Sequence, residues 1–100
     1  MTAGICPWYV TASAVRKYQQ IARTAPPDFD DASDELIGRA AECWARYQAN
    51  PDLAPAVSRT GAYVYREAGS DRGDRRRLRF IVAMGRRPEG PKPQVVDVIF

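Results

Sequence analysis

Arginine is the residue type in this chain that is best suited to do chemistry. Seven arginines lie between positions 72 and 87, and the sequence has no histidine. Because guanidinium groups pair bidentately with phosphate oxygens, this concentration predicts an anionic, phosphate-rich partner. The lack of histidine removes the side chain that most often transfers protons near neutral pH. It also excludes Ser-His-Asp, Cys-His and histidine–metal sites.

Tyrosines precede these arginines on a neighbouring predicted strand. Tyr63 and Tyr65 alternate with small apolar residues, and Arg77 and Arg79 alternate in the next strand. If both pairs share a sheet face that no helix covers, phosphates can pair with the arginines while bases stack on the phenol rings, at roughly 1–3 kcal/mol each. A solvated outer face and a protein interface are the alternatives. The predicted binding residues are Tyr63, Tyr65, Arg72, Arg75, Arg76, Arg77, Arg79, Arg86 and Arg87.

Other chemistries have little support in the residues present. Cys6 and Cys43 are too few ligands for a structural zinc site, so we expect two small buried thiols; a disulfide between them would need an oxidising compartment. The acidic residues from Asp28 to Glu35 mark the start of a helix rather than a metal site or paired catalytic acids. We therefore expect no metal and no cofactor, and the residues leave open whether the chain is an enzyme.

Composition bounds the class of protein. The 100 residues are 45% hydrophobic and 27% charged, with a net charge of +3, which is typical of one globular domain. No apolar run approaches the roughly 20 residues that span a bilayer, and the N-terminus lacks the pattern of a secretory signal. We expect a cytoplasmic protein with no membrane partner.

Two amphipathic helices are predicted over 11–50, after an arm or short strand over 1–10. Thr11 or Ser13 is the expected N-cap of the first helix, and Asp28 or Asp30 that of the second. Each helix has an apolar face of three- and four-residue spacing, formed by Ala14, Val15, Tyr18, Ile21 and Ala22 in the first and by Leu36, Ala40, Cys43, Trp44 and Tyr47 in the second. On the second helix, Glu35–Arg39 and Glu42–Arg46 have the spacing of ion pairs.

After Pro55 the apolar period changes to two, which predicts strands over 57–66, 76–84 and 94–100. A turn-rich segment and a proline-rich loop over 86–93 separate them. In the middle strand Leu78, Phe80, Val82 and Met84 point one way, and Arg77, Arg79, Ile81 and Ala83 the other. The predicted fold is a single α+β domain over 1–100, with both helices on one face of a three-stranded antiparallel meander over 56–100.

This layout resembles the RelE/ParE superfamily of small bacterial toxins. The order of polar and apolar residues is also similar in three segments, which are Tyr65-Arg66, the run from Arg77 to Val82 and the run from Gln94 to Ile99. Ribosome-dependent members of that superfamily cleave mRNA with arginine, lysine and tyrosine side chains, and other members act on gyrase. The resemblance implies that Arg77 and Arg79 match sheet arginines that contact phosphate, and that any enzymatic activity would be that of a ribonuclease.

Two functions are therefore weighed. The first is an RNA-binding or ribosome-binding domain that acts through the arginine–tyrosine face. The second is a non-enzymatic protein-binding module, such as a phage or mobile-element inhibitor of a host protein. In that second case the apolar segment 94–100 would be an exposed strand edge, able to pair with a partner's sheet or with a second copy of the chain.

Overall fold

The computed structural model describes residues 5–69 and 76–100, which form two helices on one face of a mixed five-stranded sheet. The elements in chain order are β1 (Tyr9–Val10), α1 (Ala12–Ile21), α2 (Phe29–Ala49), β2 (Ala56–Val57), β3 (Tyr63–Arg66), β4 (Arg79–Arg87) and β5 (Gly90–Ile99). The strand order is β1-β5-β4-β3-β2, with β1 parallel to β5 and the other pairs antiparallel. The α+β class is confirmed.

The predicted three-stranded antiparallel meander is wrong, because each edge of β3–β4–β5 carries a further short strand. β1 pairs in parallel with Gln94 and Val95 of β5, which gives the sheet its mixed character. At the other edge the predicted single strand over 57–66 is divided into β2 and β3, joined by a turn at Gly61, whose φ is 85°. A positive φ of this size is readily adopted by glycine, which accounts for the break.

Side-chain caps fix where both helices begin. Thr11 Oγ1 accepts a hydrogen bond from the Ala14 N–H at 3.2 Å and donates to the Val95 carbonyl at 2.8 Å, so one hydroxyl both caps α1 and ties it to β5. The Asp28 carboxylate accepts from the Asp31 N–H at 3.1 Å at the start of α2. Each cap is one of the two residues predicted for its helix.

The core lies between the helices and the sheet. Its largest fully buried side chains are Val15, Tyr18, Leu36, Leu78, Phe80, Val95 and Val98. The predicted inward alternation of β4 is confirmed at Leu78, Phe80 and Val82, whereas Met84 is 58% exposed. Met84 pairs with Pro93, past the last core pair of Val82 with Val95, in the end of the hairpin that extends beyond the core.

A β-bulge in β5 explains a core pattern that strict alternation does not allow. Val95 and Val98 are both fully buried although they are three residues apart. Ile81 pairs with Asp97 and Val82 with Val95, so Val96 is an extra residue in β5. A bulge of this kind resets the alternation of side chains, which allows both valines to reach the core.

The proline-rich segment 86–93 forms the end of a hairpin instead of the predicted loop. Arg86 pairs with Pro91 and Arg87 with Gly90, which leaves Pro88 and Glu89 as the turn. Pro88 fixes its φ near the value that a tight turn needs, and Gly90 has a φ of 112°. Prolines are tolerated in β5 here because this segment lies at the sheet edge beyond the residues that pair with β1.

Candidate nucleic-acid interface

The face of the sheet opposite the helices carries the candidate site. Residues paired across the strands share a face, so the register gives three rows on this side. Two rows are Val64–Ile81–Asp97 and Ala83–Gln94–Tyr9. The row between β3 and the end of β5 is Arg66–Arg79–Ile99. We call this surface, defined by these three rows, the arginine face.

Arg66 and Arg79 are the charged pair of the arginine face, at the end of β3 and the start of β4. They are direct cross-strand neighbours, and side chains opposite each other in an antiparallel pair have Cβ atoms roughly 4.5–5.5 Å apart. Within 5–69 and 76–100 neither forms a salt bridge with a carboxylate, since the ion pairs there are Lys17–Asp97 and Arg39–Glu67. Two like charges placed opposite each other without an acid destabilise a sheet, and an anionic ligand would remove that cost.

The predicted platform of tyrosines beside arginines is wrong, because the register places them on opposite faces. Tyr65 pairs with Phe80 and Tyr63 with Val82, both of which are buried beneath the helices. The Tyr65 ring contacts Trp8 and Tyr47, with ring centroids 4.5 and 4.8 Å away. Tyr63 is 43% exposed at the margin of that same face. The tyrosines therefore belong to the packed side of the sheet.

The other predicted arginines are distributed around the strand ends. Arg76 and Arg77 are exposed but precede β4, which begins at Arg79 rather than at residue 76. Arg86 is exposed near the hairpin end, on the same side of β4 as Met84. Arg72 and Arg75 lie outside the described residues, as does the side chain of Arg87. Of the predicted residues, Arg79 therefore lies on the arginine face, and Arg77 lies two residues before it, outside β4.

Arg66 is a site residue that the sequence prediction missed. Its backbone N–H donates to the Tyr47 hydroxyl at 3.0 Å, and its carbonyl accepts from the Arg46 guanidinium at 2.8 Å. These two side chains of α2 hold the end of β3 where no further strand pairs with it. The alternation of Tyr63, Val64, Tyr65 and Arg66 was a usable signal, since inward tyrosines require an outward Arg66.

A buried polar network anchors the segment that leads into β4. Glu67 is 8% exposed, and its carboxylate accepts from Arg39 at 2.6 and 3.0 Å and from the Leu78 N–H at 2.6 Å. Arg39 also donates to the Tyr18 hydroxyl at 3.1 Å and to the Arg76 carbonyl at 3.0 Å. The network thereby joins α1, α2 and both ends of the β3–β4 connection.

This network replaces the ion pairs predicted along α2. Arg39 pairs with Glu67 rather than with Glu35, which instead accepts from the Tyr18 hydroxyl. Arg46 donates to the Arg66 carbonyl rather than pairing with Glu42. These long-range contacts are more stabilising than the predicted ion pairs because each satisfies a backbone group or a buried carboxylate. An exposed i,i+4 pair contributes only a few tenths of a kcal/mol.

The network also perturbs the ionisation of its members. Burial alone would lower the pKa of Arg39, but hydrogen bonds to Glu67 and Tyr18 outweigh it and raise the pKa above its ordinary value. Burial, followed by the hydrogen bond to Glu35, raises the pKa of the Tyr18 hydroxyl. Arg39 is therefore a permanently charged, well-positioned group rather than a proton donor.

The described residues provide neither a metal site nor a membrane-spanning helix. Within 5–69 and 76–100, no three Cys, Asp or Glu side chains are grouped so that they could hold a metal ion. Over the same ranges, no helix combines the length and the apolar character needed to cross a bilayer. Both cysteines are unpaired thiols, with Cys43 buried and Cys6 partly buried.

The chain was compared with protein-family models, with curated proteins and with solved structures, and no match was found in any of the three.

Proposed function

We propose that this chain is a small basic domain that binds RNA, alone or in the ribosome, through the arginine face. The observation that carries the proposal is the cross-strand pair Arg66–Arg79, which has no carboxylate partner among the described residues. Guanidinium groups at this spacing suit consecutive or bridging phosphate oxygens, since each can form two parallel hydrogen bonds. Arg76 and Arg77, both exposed at the entrance to β4, extend the positive field.

The remainder of the arginine face suits the bases of a single strand. Val64 and Ile81 are half-buried apolar neighbours of the arginine pair, and Tyr9, at the far row, is 51% exposed. Single-strand binders combine a basic track for the backbone with apolar or aromatic contacts for the bases. Tyr9 is thus the aromatic residue of this face, in place of Tyr63 and Tyr65.

We further propose that the domain is toxin-like, of the RelE/ParE type. Two helices followed by β3, β4 and β5 support this, as does the outward position of Arg79 in the middle strand. The outer face of α2 lacks the basic residues usual in that superfamily, and the one carboxylate among the described residues of the arginine face, Asp97, is paired with Lys17. The proposal is therefore one of binding, and cleavage is left to measurement.

The test is RNA binding as a function of salt. For a single strand, log Kobs falls with log salt by about 0.7 per phosphate neutralised. Arg66→Ala with Arg79→Ala should reduce this slope by about 1.4 and weaken binding at least tenfold at low salt. The control is Arg16→Ala with Arg59→Ala, which removes the same charge from α1 and from the β2–β3 turn. Equal affinities for the two double variants would refute the proposal.

A protein partner is the second candidate, favoured by an apolar pair at the β2 edge. Val57 and Tyr63 are cross-strand neighbours and are 66% and 43% exposed. The edge first predicted for this role, 94–100, is partly occupied, because β1 pairs with Gln94 and Val95. A partner that stays bound in a pull-down after nuclease digestion, and is lost with Val57→Lys, would favour this candidate over RNA.

A further inference from the structure

A cleft of about 490 Å³ opens where α1 ends against α2 and the end of β5. Its lining combines guanidinium groups with apolar surface and includes Ile21, Arg23, Thr24, Arg39, Arg76 and Phe100. None of the described residues that line it is acidic. The volume falls in the range of sites that hold small organic molecules. A ligand that fits must therefore be anionic at one end and flat or apolar at the other.

Arg39 gives the cleft a positioned hydrogen-bond donor. Its Nε and both terminal nitrogens are oriented by Glu67, Tyr18 and the Arg76 carbonyl. A guanidinium carries five N–H donors, and these bonds use four of them. The fifth has no bond to another described residue. Arg23, exposed at the end of α1, adds positive charge at the rim.

Phe100 provides the apolar wall and connects the cleft to the arginine face. Its side chain is 38% exposed and lines the cleft. Its backbone oxygen accepts a hydrogen bond from Arg79. Arg79 in turn neighbours Arg66 across the strands. Arg79, which belongs to the arginine face, thus contacts the residue that forms the apolar wall of the cleft.

From this continuity we infer that the cleft holds one nucleotide of the bound RNA. Its phosphate lies against Arg23, Arg39 and Arg76, and its base packs on Phe100 and Ile21. This inference rests on the proposed RNA-binding function and adds a defined subsite to it. Bases stack on aromatic rings without regard to sequence, so the subsite selects a nucleotide unit rather than a particular base.

The experiment measures binding of uridine 5′-monophosphate by NMR titration of the full chain, with uridine and inorganic phosphate as separate probes. We expect a Kd on the order of 0.1–1 mM for the monophosphate and at least tenfold weaker binding for either fragment. Thr24→Trp fills the rim of the cleft without changing charge and should weaken the nucleotide at least tenfold. Thr60→Trp, an exposed threonine in the β2–β3 turn, is the matched control and should leave Kd unchanged.

The outcomes separate the subsite from the arginine face. If Thr24→Trp and Thr60→Trp bind the nucleotide equally, or if inorganic phosphate binds as well as the monophosphate, the nucleotide subsite is refuted. RNA binding that still depends on Arg66 and Arg79 would leave the proposed function standing. Arg23→Ala provides the second variant, since its exposed side chain is not part of the core: a loss of at least tenfold supports the subsite, and no change overturns it.

Discussion

The strongest quantitative prediction concerns Glu67, the buried carboxylate that holds Arg39. The perturbation is Glu67→Gln, which preserves shape and retains one carbonyl oxygen for the Leu78 N–H. The other oxygen is replaced by an amide NH2 that faces the Arg39 Nε–H, so a hydrogen bond of 3.0 Å becomes a contact between two donors. The side chains are 22% and 9% exposed, so water can relieve little of this mismatch.

The expected cost follows from how buried pairs behave. Removing one partner of a buried ion pair typically costs about 3–5 kcal/mol, because the remaining charge stays buried and unpaired. Glutamine retains part of the bonding, so we expect about 2–3 kcal/mol for Glu67→Gln and about 3–5 kcal/mol for Glu67→Ala. For a domain whose total stability is roughly 5–15 kcal/mol, this is a large fraction. It corresponds to a fall in Tm of roughly 10–20 °C for Glu67→Gln.

The assay is urea unfolding followed by tryptophan fluorescence. Glu42→Gln is the matched control, since Glu42 is an exposed carboxylate on α2 and its loss should change stability by less than about 0.5 kcal/mol. The double variant Arg39→Met with Glu67→Gln should recover at least half of the loss, because the glutamine still accepts from the Leu78 N–H and no unpaired charge or donor–donor contact remains. If Glu67→Gln costs no more than Glu42→Gln, the network does not stabilise the fold as argued.

Two further predictions test other features of the fold. Thr11→Ala should lower the free energy of unfolding by about 1–2 kcal/mol in the same assay, because it removes both the hydrogen bond from the Ala14 N–H and the bond to the Val95 carbonyl. Ser13→Ala, an exposed control in α1, should cost less than half as much. Equal losses would contradict the dual role of Thr11. Burial raises the pKa of the Cys43 thiol from 9.0 to about 12. Between these two values the folded state keeps a proton that the unfolded state loses, so the free energy of unfolding should fall as the pH rises from about 9 to 12. The expected loss is about 1 kcal/mol at pH 10. Cys43→Ala should remove the part of this decline that lies between about pH 9 and pH 10, because Tyr18 and Tyr65, whose pKa values are raised from 10.0, contribute only at higher pH. A slope over that range that is unchanged in Cys43→Ala would show that another group causes it.

The helices were predictable because their signals are local. Caps and apolar stripes depend on residues three or four apart. Thr11, Asp28 and the inward residues of α1 and α2 are found as expected, except Trp44, which is half-buried and not part of the core. The inward alternation of β4 at Leu78, Phe80 and Val82 was local in the same way. β2 and β3 were harder, because a glycine turn of positive φ at Gly61 interrupts the single strand predicted over 57–66.

The candidate site was only half predictable, because it depends on register. A shift of one residue in strand pairing moves a side chain to the opposite face, and nothing local determines whether Arg79 pairs with Tyr65 or with Arg66. The pairing of Arg39 with Glu67 is similarly non-local, because the two residues are 28 positions apart and come into contact only after the sheet forms. The Val96 bulge, which depends on the β4 partner, also lies beyond any local pattern.

The aromatic residues first assigned to RNA binding instead determine the site indirectly. Tyr65 packs between Trp8 and Tyr47, which draws the segment before β1 and the end of α2 together over β3. With Tyr65 held inward, its neighbour Arg66 has to project from the other face, opposite Arg79. The hydroxyl of the same Tyr47 accepts a hydrogen bond from the Arg66 N–H, so one packed cluster fixes both the direction and the backbone of the arginine that carries the charge. The packed aromatic residues behind the sheet thus fix the backbone from which Arg66 projects toward Arg79.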